Sequence, residues 1–377
     1  MSRKVVTRKR KSGASYPPDI VIFLITLTLL SIGVVMVFSA SSVTARATYG
    51  DTYYFLKRQL AWAAIGVFAM IVTMQIDYDS WRKLAWPVLI VALLLLLVVL
   101  VPGFGTAIRG SRRWLDIGPL TFQPSEVAKL AMVLFMASFL SNRIGKMHLF
   151  TRGLLPPLII VGIVFGLIVL EPDFGTAGTV LAVSFVMMFA AGASILHLAS
   201  LAALGLPALG AMAIAAPYRA RRFLAFLDPW EDPLGSGFHI IQSLLALGSG
   251  GLFGVGLGRS RQKFLYLPMQ HTDFIFAIIG EELGFVGAAF VLILYFLFAW
   301  RGLRIAIATE DPFGKLLAVG ITTMIVSQAI INIGVVSGAL PITGITLPLI
   351  SSGGSSLVTT LAAIGVLLNI SKHSALR

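Results

Sequence analysis

Ten apolar stretches constrain this 377-residue chain more than any other feature: residues 20–40, 59–76, 83–102, 124–141, 154–170, 175–192, 195–216, 273–300, 316–338 and 354–371. As helices rising about 1.5 Å per residue, they match a hydrocarbon layer about 30 Å thick. Such a layer offers no water to backbone polar groups, so spanning segments close as helices or as barrels, and runs this long select helices. The expected fold is all-α, a polytopic integral membrane protein with about ten transmembrane helices. Composition agrees, at 57% hydrophobic and 12% charged residues. The first stretch exceeds the 7 to 15 apolar residues usual in a signal peptide and is read as a span.

Residues 1–19 form a basic leader in which Arg3, Lys4, Arg8, Lys9, Arg10 and Lys11 precede a Tyr-Pro-Pro-Asp turn, and it is expected to be disordered. A single membrane domain then covers 20–372, with a tail at 373–377. Ten spans place both termini on one side, where 16 Lys and Arg gather against 12 on the other. The leader, the 142–152 loop and the tail are therefore cytoplasmic, and residues 217–272 form a large extracytoplasmic loop. A net charge of +13 beside this hydropathy points to anionic lipid headgroups or an anionic substrate, and no nucleic-acid motif is present. Without Cys and with five scattered His, no metal-ligand spacing occurs and no cofactor is evident, although a divalent cation stays compatible with the chain.

Irregular sequence concentrates on the outer side, where functional loops are expected. Asp273 precedes the apolar run Phe274–Ile279 at the membrane surface, with Glu281 and Glu282 about 12 Å deeper. Ionisable groups at such depth are costly and usually functional, yet Thr272 or Asp273 as a helix cap is an equally direct use. Arg112 and Arg113 beside Trp114 suit either phosphate binding or an interfacial anchor. Glu126 and Lys129 share a helix face, and Asp173 begins a later span at similar depth. One lysine between two carboxylates makes a buried triad, structural or catalytic. Arg219, Arg221, Arg222, Arg259, Arg261 and Lys263 put unusual positive charge outside, to attract an anionic headgroup or as ordinary solvated charge. The glycine run 248–258 follows no strand and carries no Gly-Lys-Ser/Thr, so a nucleotide site is discounted. Residues 338–356 are too broken by Pro and Gly for a helix until their end, so their backbone must be satisfied inside protein or water.

Five ordered signatures resemble the SEDS family of shape, elongation, division and sporulation proteins, which includes FtsW, RodA and SpoVE. They are GSRRWLDIG at 110–118, QPSEVAK at 123–129, EPDFGTA at 171–177, QHTDFIFAIIGEELG at 270–284 and GALPITGITLPLISSGGSS at 338–356. The Gly280-Glu281-Glu282 form and the approach at 263–268 look more like the division and sporulation branch. Ser352 departs from the family's usual Tyr. The resemblance implies a ten-helix peptidoglycan glycosyltransferase of the bacterial cytoplasmic membrane, at a division or sporulation septum. It would polymerise lipid II by inverting transfer, beside a class B penicillin-binding protein that crosslinks. By this resemblance Asp273 is the catalytic base, and Arg112, Arg113, Trp114, Gln123, Glu126, Lys129, Asp173, Arg221, Arg222, His271, Thr272, Ser355 and Ser356 bind substrate. A lipid flippase and a noncatalytic scaffold are the competing functions. A flippase requires charge in the cytoplasmic half as well, and a scaffold leaves Asp273 and the outer cations without a use.

Overall fold

The computed structural model describes residues 16–108, 111–117, 120–214, 217–263 and 267–374, with the side chains of Arg219 and Arg222 outside the description. Its elements are α1 (Ile20–Tyr49), α2 (Tyr54–Gln75), α3 (Tyr78–Leu100), β1 (Gly105–Ile108), β2 (Ser111–Ile117), β3 (Leu120–Phe122), α4 (Pro124–Ser141), α5 (Leu155–Leu170), α6 (Phe174–Ala190), α7 (Ile195–Ile214), α8 (Pro217–Leu227), α9 (Phe238–Ser249), α10 (Ile275–Ala308), α11 (Pro312–Val336) and α12 (Gly354–Ser371). Among the described residues eight helices are long and apolar enough to span a membrane, and α6 and α7 stand where the sequence places the sixth and seventh spans. The polytopic all-α expectation holds.

Burial sorts these helices into an inside and an outside. α4, α11 and α12 hide 78%, 67% and 83% of their most apolar windows inside the protein, against 22% for α2 and 28% for α3 and α10. Small residues let α12 approach α2 closely: a Cβ at Gly365 would lie 2.3 Å from the Met70 carbonyl oxygen. Thr73 Oγ1 donates to the Ala362 carbonyl across the same seam at 2.9 Å.

The first and last described residues lie at one end of the bundle. Asp19 caps α1 by accepting from Ile22 N at 3.0 Å and pairs with Arg301 of α10 at 2.6 Å. Its own N–H donates to Ser371 Oγ at the end of α12, 2.9 Å away, and Tyr16 N donates to the Lys372 carbonyl. This contact fixes an even number of crossings. At the other end, residues expected to be an irregular outer loop form a three-stranded antiparallel sheet in the order β1-β2-β3. Leu115 pairs with Gly105 on one side and Phe122 on the other, and Thr106 Oγ1 donates to Asp116 at 2.7 Å. The strands are too short, at four, seven and three residues, for alternation to stand out against the turn glycines between them.

Two broken segments resolve their backbone needs inside the protein. α10 is interrupted at Gly284 (φ 68°, ψ −167°), and the glycine run after α9 fills the gap. Val255 N and Gly256 N donate to the carbonyls of Glu281 and Glu282, while Phe285 N and Val286 N donate to those of Gly251 and Leu252. A Cβ at Gly254 would stand 2.2 Å from the Glu282 carbonyl oxygen, so backbone proximity, not phosphate binding, explains these glycines. Residues 345–351 are also largely buried, and a Cβ on Gly33, midway along α1, would lie 2.6 Å from the Leu349 carbonyl oxygen.

Leu234, between α8 and α9, is 89% exposed and tests the orientation in a chain that has no cysteine of its own. In spheroplasts, a Leu234→Cys protein should react with an impermeant maleimide, and Lys146→Cys should react after permeabilisation. The reverse pattern would invert the assignment of sides.

Candidate active site

The carboxylate of Asp273 stands just before α10, half-buried. The capping expectation is corrected here: the cap position belongs to Phe274, without a side-chain cap bond, so neither Thr272 nor Asp273 occupies it. The reason is the sharp backbone at Met269 (φ 59°), whose carbonyl takes the N–H groups of Thr272 and Phe274 and delays the helix by a residue or two. The three carbonyls that lead into α10 are each held from outside their own segment. His271 accepts from Ser352 N at 2.9 Å, Thr272 from Ser351 Oγ at 2.6 Å, and Asp273 from Asn332 Nδ2 at 2.8 Å. Gly344 (φ 74°) passes close to the carboxylate, and a Cβ there would sit 3.6 Å from Asp273 Oδ2. His271 packs against Phe55 of α2 with ring centroids 4.3 Å apart. Ser352, in place of Tyr, contributes a backbone N–H that any residue but proline would supply.

A second constellation joins α4, α6, α11 and α12. Lys129 lies 3.0 Å from Glu126 Oε2 and donates to Gln328 Oε1 of α11 at 2.5 Å. Gln328 Nε2 continues to the Thr346 carbonyl at 3.0 Å and to Ser356 Oγ at 3.4 Å. The predicted triad is corrected: among the described residues Asp173 is not a partner of Lys129. Asp173 accepts instead from Thr176 N and Oγ1, capping α6, and from Gln123 Nε2 at 3.0 Å. The physical reason is depth: Lys129 lies more than a full turn inside α4, whereas Asp173 stays at the start of α6 as its cap. Ser355 Oγ donates to the Thr121 carbonyl and accepts from Gln123 N, tying β3 to α12.

The cations divide in the same way. Adjacent strand residues point to opposite faces, and Arg112 is exposed whereas Arg113 turns inward. Arg113 Nε donates to the Glu171 carbonyl at 2.8 Å, its Nη2 donates to the Pro172 carbonyl, and its Nη1 lies 3.9 Å from Asp173. Arg113 thus holds the α5–α6 turn, whereas Arg112 faces away from it. Trp114 is half-buried, Arg221 is exposed on α8, and the side chain of Arg222 lies outside the described residues. Lys263 is buried against Glu282 at 3.4 Å, while Glu281 accepts from Arg261 N at 2.8 Å and from Ser260 Oγ. Ser39 of α1 donates to Glu282 at 2.6 Å. These two glutamates anchor the segment before α10 onto α1 and α10.

Sequence reasoning passed over Gln328 and Asn332, although two carboxamides four apart in an apolar span mark one helix face and were a readable signal. It also passed over Glu171, which is buried with neither oxygen partnered among the described residues. Burial first, and Asp173 next, push this carboxyl from 4.5 up to about 9, with Arg113 opposing. The folded protein then keeps a proton that the unfolded chain has released, so stability should fall as pH rises from about 4.5 toward 9. Glu171→Gln, neutral throughout, should flatten that decline in thermal melts at pH 6 and 9. Equal declines in both proteins would clear Glu171 as its source.

The family model of FtsW, RodA and SpoVE, described as cell cycle protein, matches residues 20–376. The chain belongs to this family. Within the FtsW/SpoVE branch, it is 50% identical over 357 residues to stage V sporulation protein E of Bacillus subtilis, covering 95% of this chain and 98% of that one. It is 46% identical over 353 residues to a probable peptidoglycan glycosyltransferase FtsW of Geobacter metallireducens, covering 94% of each. Among solved structures, a chain of a peptidoglycan synthase complex that coordinates polymerization and crosslinking superposes with a TM-score of 0.78 at 33% identity, covering 96% of this chain and 99% of that one. The rod shape determining protein RodA of Thermus thermophilus superposes with a TM-score of 0.71 at 31% identity, covering 96% and 98%.

Proposed function

We propose that this protein is a peptidoglycan glycosyltransferase that polymerises lipid II at the outer face of the bacterial cytoplasmic membrane, with both termini cytoplasmic. The observation that carries the reading is one-sidedness. Among the described residues, the buried ionisable side chains Glu126, Lys129, Glu171, Asp173, Lys263, Glu281 and Glu282 all lie toward the end opposite Tyr16 and Ser374, and Asp19 alone lies at that end. A flippase needs a polar path through both halves of the membrane, whereas a transferase acting on one leaflet needs a polar site at one end.

In the proposed reaction Asp273 accepts the proton of a sugar hydroxyl as that oxygen bonds to the anomeric carbon of a second lipid-linked sugar. The bond from that carbon to the pyrophosphate breaks, and the leaving group departs as polyprenyl pyrophosphate. One base opposite an activated leaving group gives inversion. Arg112 and Arg221 are exposed at this end and supply positive charge to the departing oxygens. Gln123, Glu126, Lys129, Asp173, Ser355 and Ser356 are buried or half-buried and already engaged, Gln123 with Asp173 and Ser355, Glu126 with Lys129, and Lys129 and Ser356 with Gln328, so they shape the site's floor instead of gripping the pyrophosphate. A class B penicillin-binding protein is the proposed crosslinking partner.

The direct test is glycan polymer formation from purified lipid II, with and without a cognate penicillin-binding protein. Transbilayer movement of lipid II without polymer in either condition would favour the flippase. Within the reaction, Arg112→Ala should lower turnover about 10-fold, and Lys should restore it in part because the planar fork is lost. Arg113→Ala should instead lower thermal stability, by removing the clamp on the α5–α6 turn. Unchanged turnover in the Arg112 variant would remove that residue from the leaving-group site.

A further inference from the structure

The backbone around Asp273 is held from α11 by a pair of carboxamides. Asn332 is 1% exposed, and its Nδ2 donates to two carbonyls at once, that of Asp273 at 2.8 Å and that of Ile345 at 2.7 Å. One turn earlier on the same face, Gln328 holds the next residue of that loop through the Thr346 carbonyl at 3.0 Å. Residue 345 follows Gly344, the glycine that passes beside the Asp273 carboxylate. A single side-chain nitrogen therefore bridges Asp273 itself and the loop that faces its carboxylate.

We infer that Asn332 is a positioning residue for Asp273, fixing the carboxylate against the 344–346 backbone so that it meets the acceptor hydroxyl in one geometry. The inference rests on the proposed role of Asp273 as the base. Neighbouring ties do not replace it: Ser352 N and Ser351 Oγ hold the carbonyls of His271 and Thr272, and neither reaches Asp273. Removing the shared donor frees two carbonyls that face the same point, and they move apart. Asp273 then shifts relative to its target while the binding surface for lipid-linked sugars stays in place.

The test is steady-state polymerisation of lipid II by the full-length purified protein, with Asn332→Leu, Asn332→Gln and Asp273→Asn in parallel. Asn332→Leu keeps the volume without the donor, and kcat per folded molecule should fall about 30-fold with KM within about 2-fold, the size of effect expected for a reacting group displaced by about an ångström. Asn332→Gln keeps the donor on a longer arm and should recover part of the loss, to about 3 to 10 times below wild type. A folded Leu variant with wild-type kcat would overturn the inference, as would wild-type kcat in the Gln variant if the Leu variant does not fold. An inactive Asp273→Asn beside a fully active Asn332→Leu defeats the positioning role alone. An active Asp273→Asn defeats the base, and the positioning role with it.

Discussion

Asp273→Asn should cost the protein about 100-fold or more in lipid II polymerisation while leaving folding, membrane insertion and partner binding intact. Asn has nearly the same shape and an oxygen that accepts hydrogen bonds, but that oxygen takes no proton at neutral pH. The backbone ties to this segment come from Asn332, Ser351 and Ser352, and all of them reach carbonyls that the substitution leaves in place. Phe274 occupies the cap position of α10, so loss of a cap does not enter the comparison. Four buried carboxylates near this end have partners that fix them: Glu281 and Glu282 in the 255–263 segment, Glu126 in Lys129, and Asp173 in the first turn of α6. Polymerisation at the normal rate by a purified Asp273→Asn protein would end the assignment.

The sequence made the spans readable because lipid allows few alternatives to a helix, and each long apolar run became one. It also made the 338–356 stretch legible as irregular backbone satisfied within the protein. Helix ends were less legible. α1 runs on to Tyr49 through Ser41, Ser42 and Thr44, polar residues that look like a loop until Gln270 is seen donating to the Ala40 carbonyl and Thr44 Oγ1. Pairing across the bundle was not legible at all. Nothing in the spacing of Lys129 says that its second partner is Gln328, 199 positions away, and not Asp173. Arg112 and Arg113 look alike as neighbours in a basic motif, and a strand's alternation gives them different work.

Lys129→Ala should destabilise the protein by about 3 to 5 kcal/mol, because it leaves Glu126 buried without its cation. The pair is almost fully enclosed, with side-chain exposures of 3% for Lys129 and 6% for Glu126, so solvent does not screen the loss. Gln328 Oε1 also loses its donor, which loosens the carboxamide that holds the Thr346 carbonyl. Activity should therefore fall with stability in the single variant. A second protein separates the two effects. Combining Lys129→Met with Glu126→Gln removes both charges at similar volume, and replacing a buried pair in this way is often neutral or stabilising. Its thermal midpoint in detergent should return close to wild type. If polymerisation returns as well, the pair is structural; if it stays low in the stable double variant, the charges themselves act on the substrate. A Lys129→Ala protein that is as stable and as active as wild type would show that no buried ion pair supports the centre of this bundle.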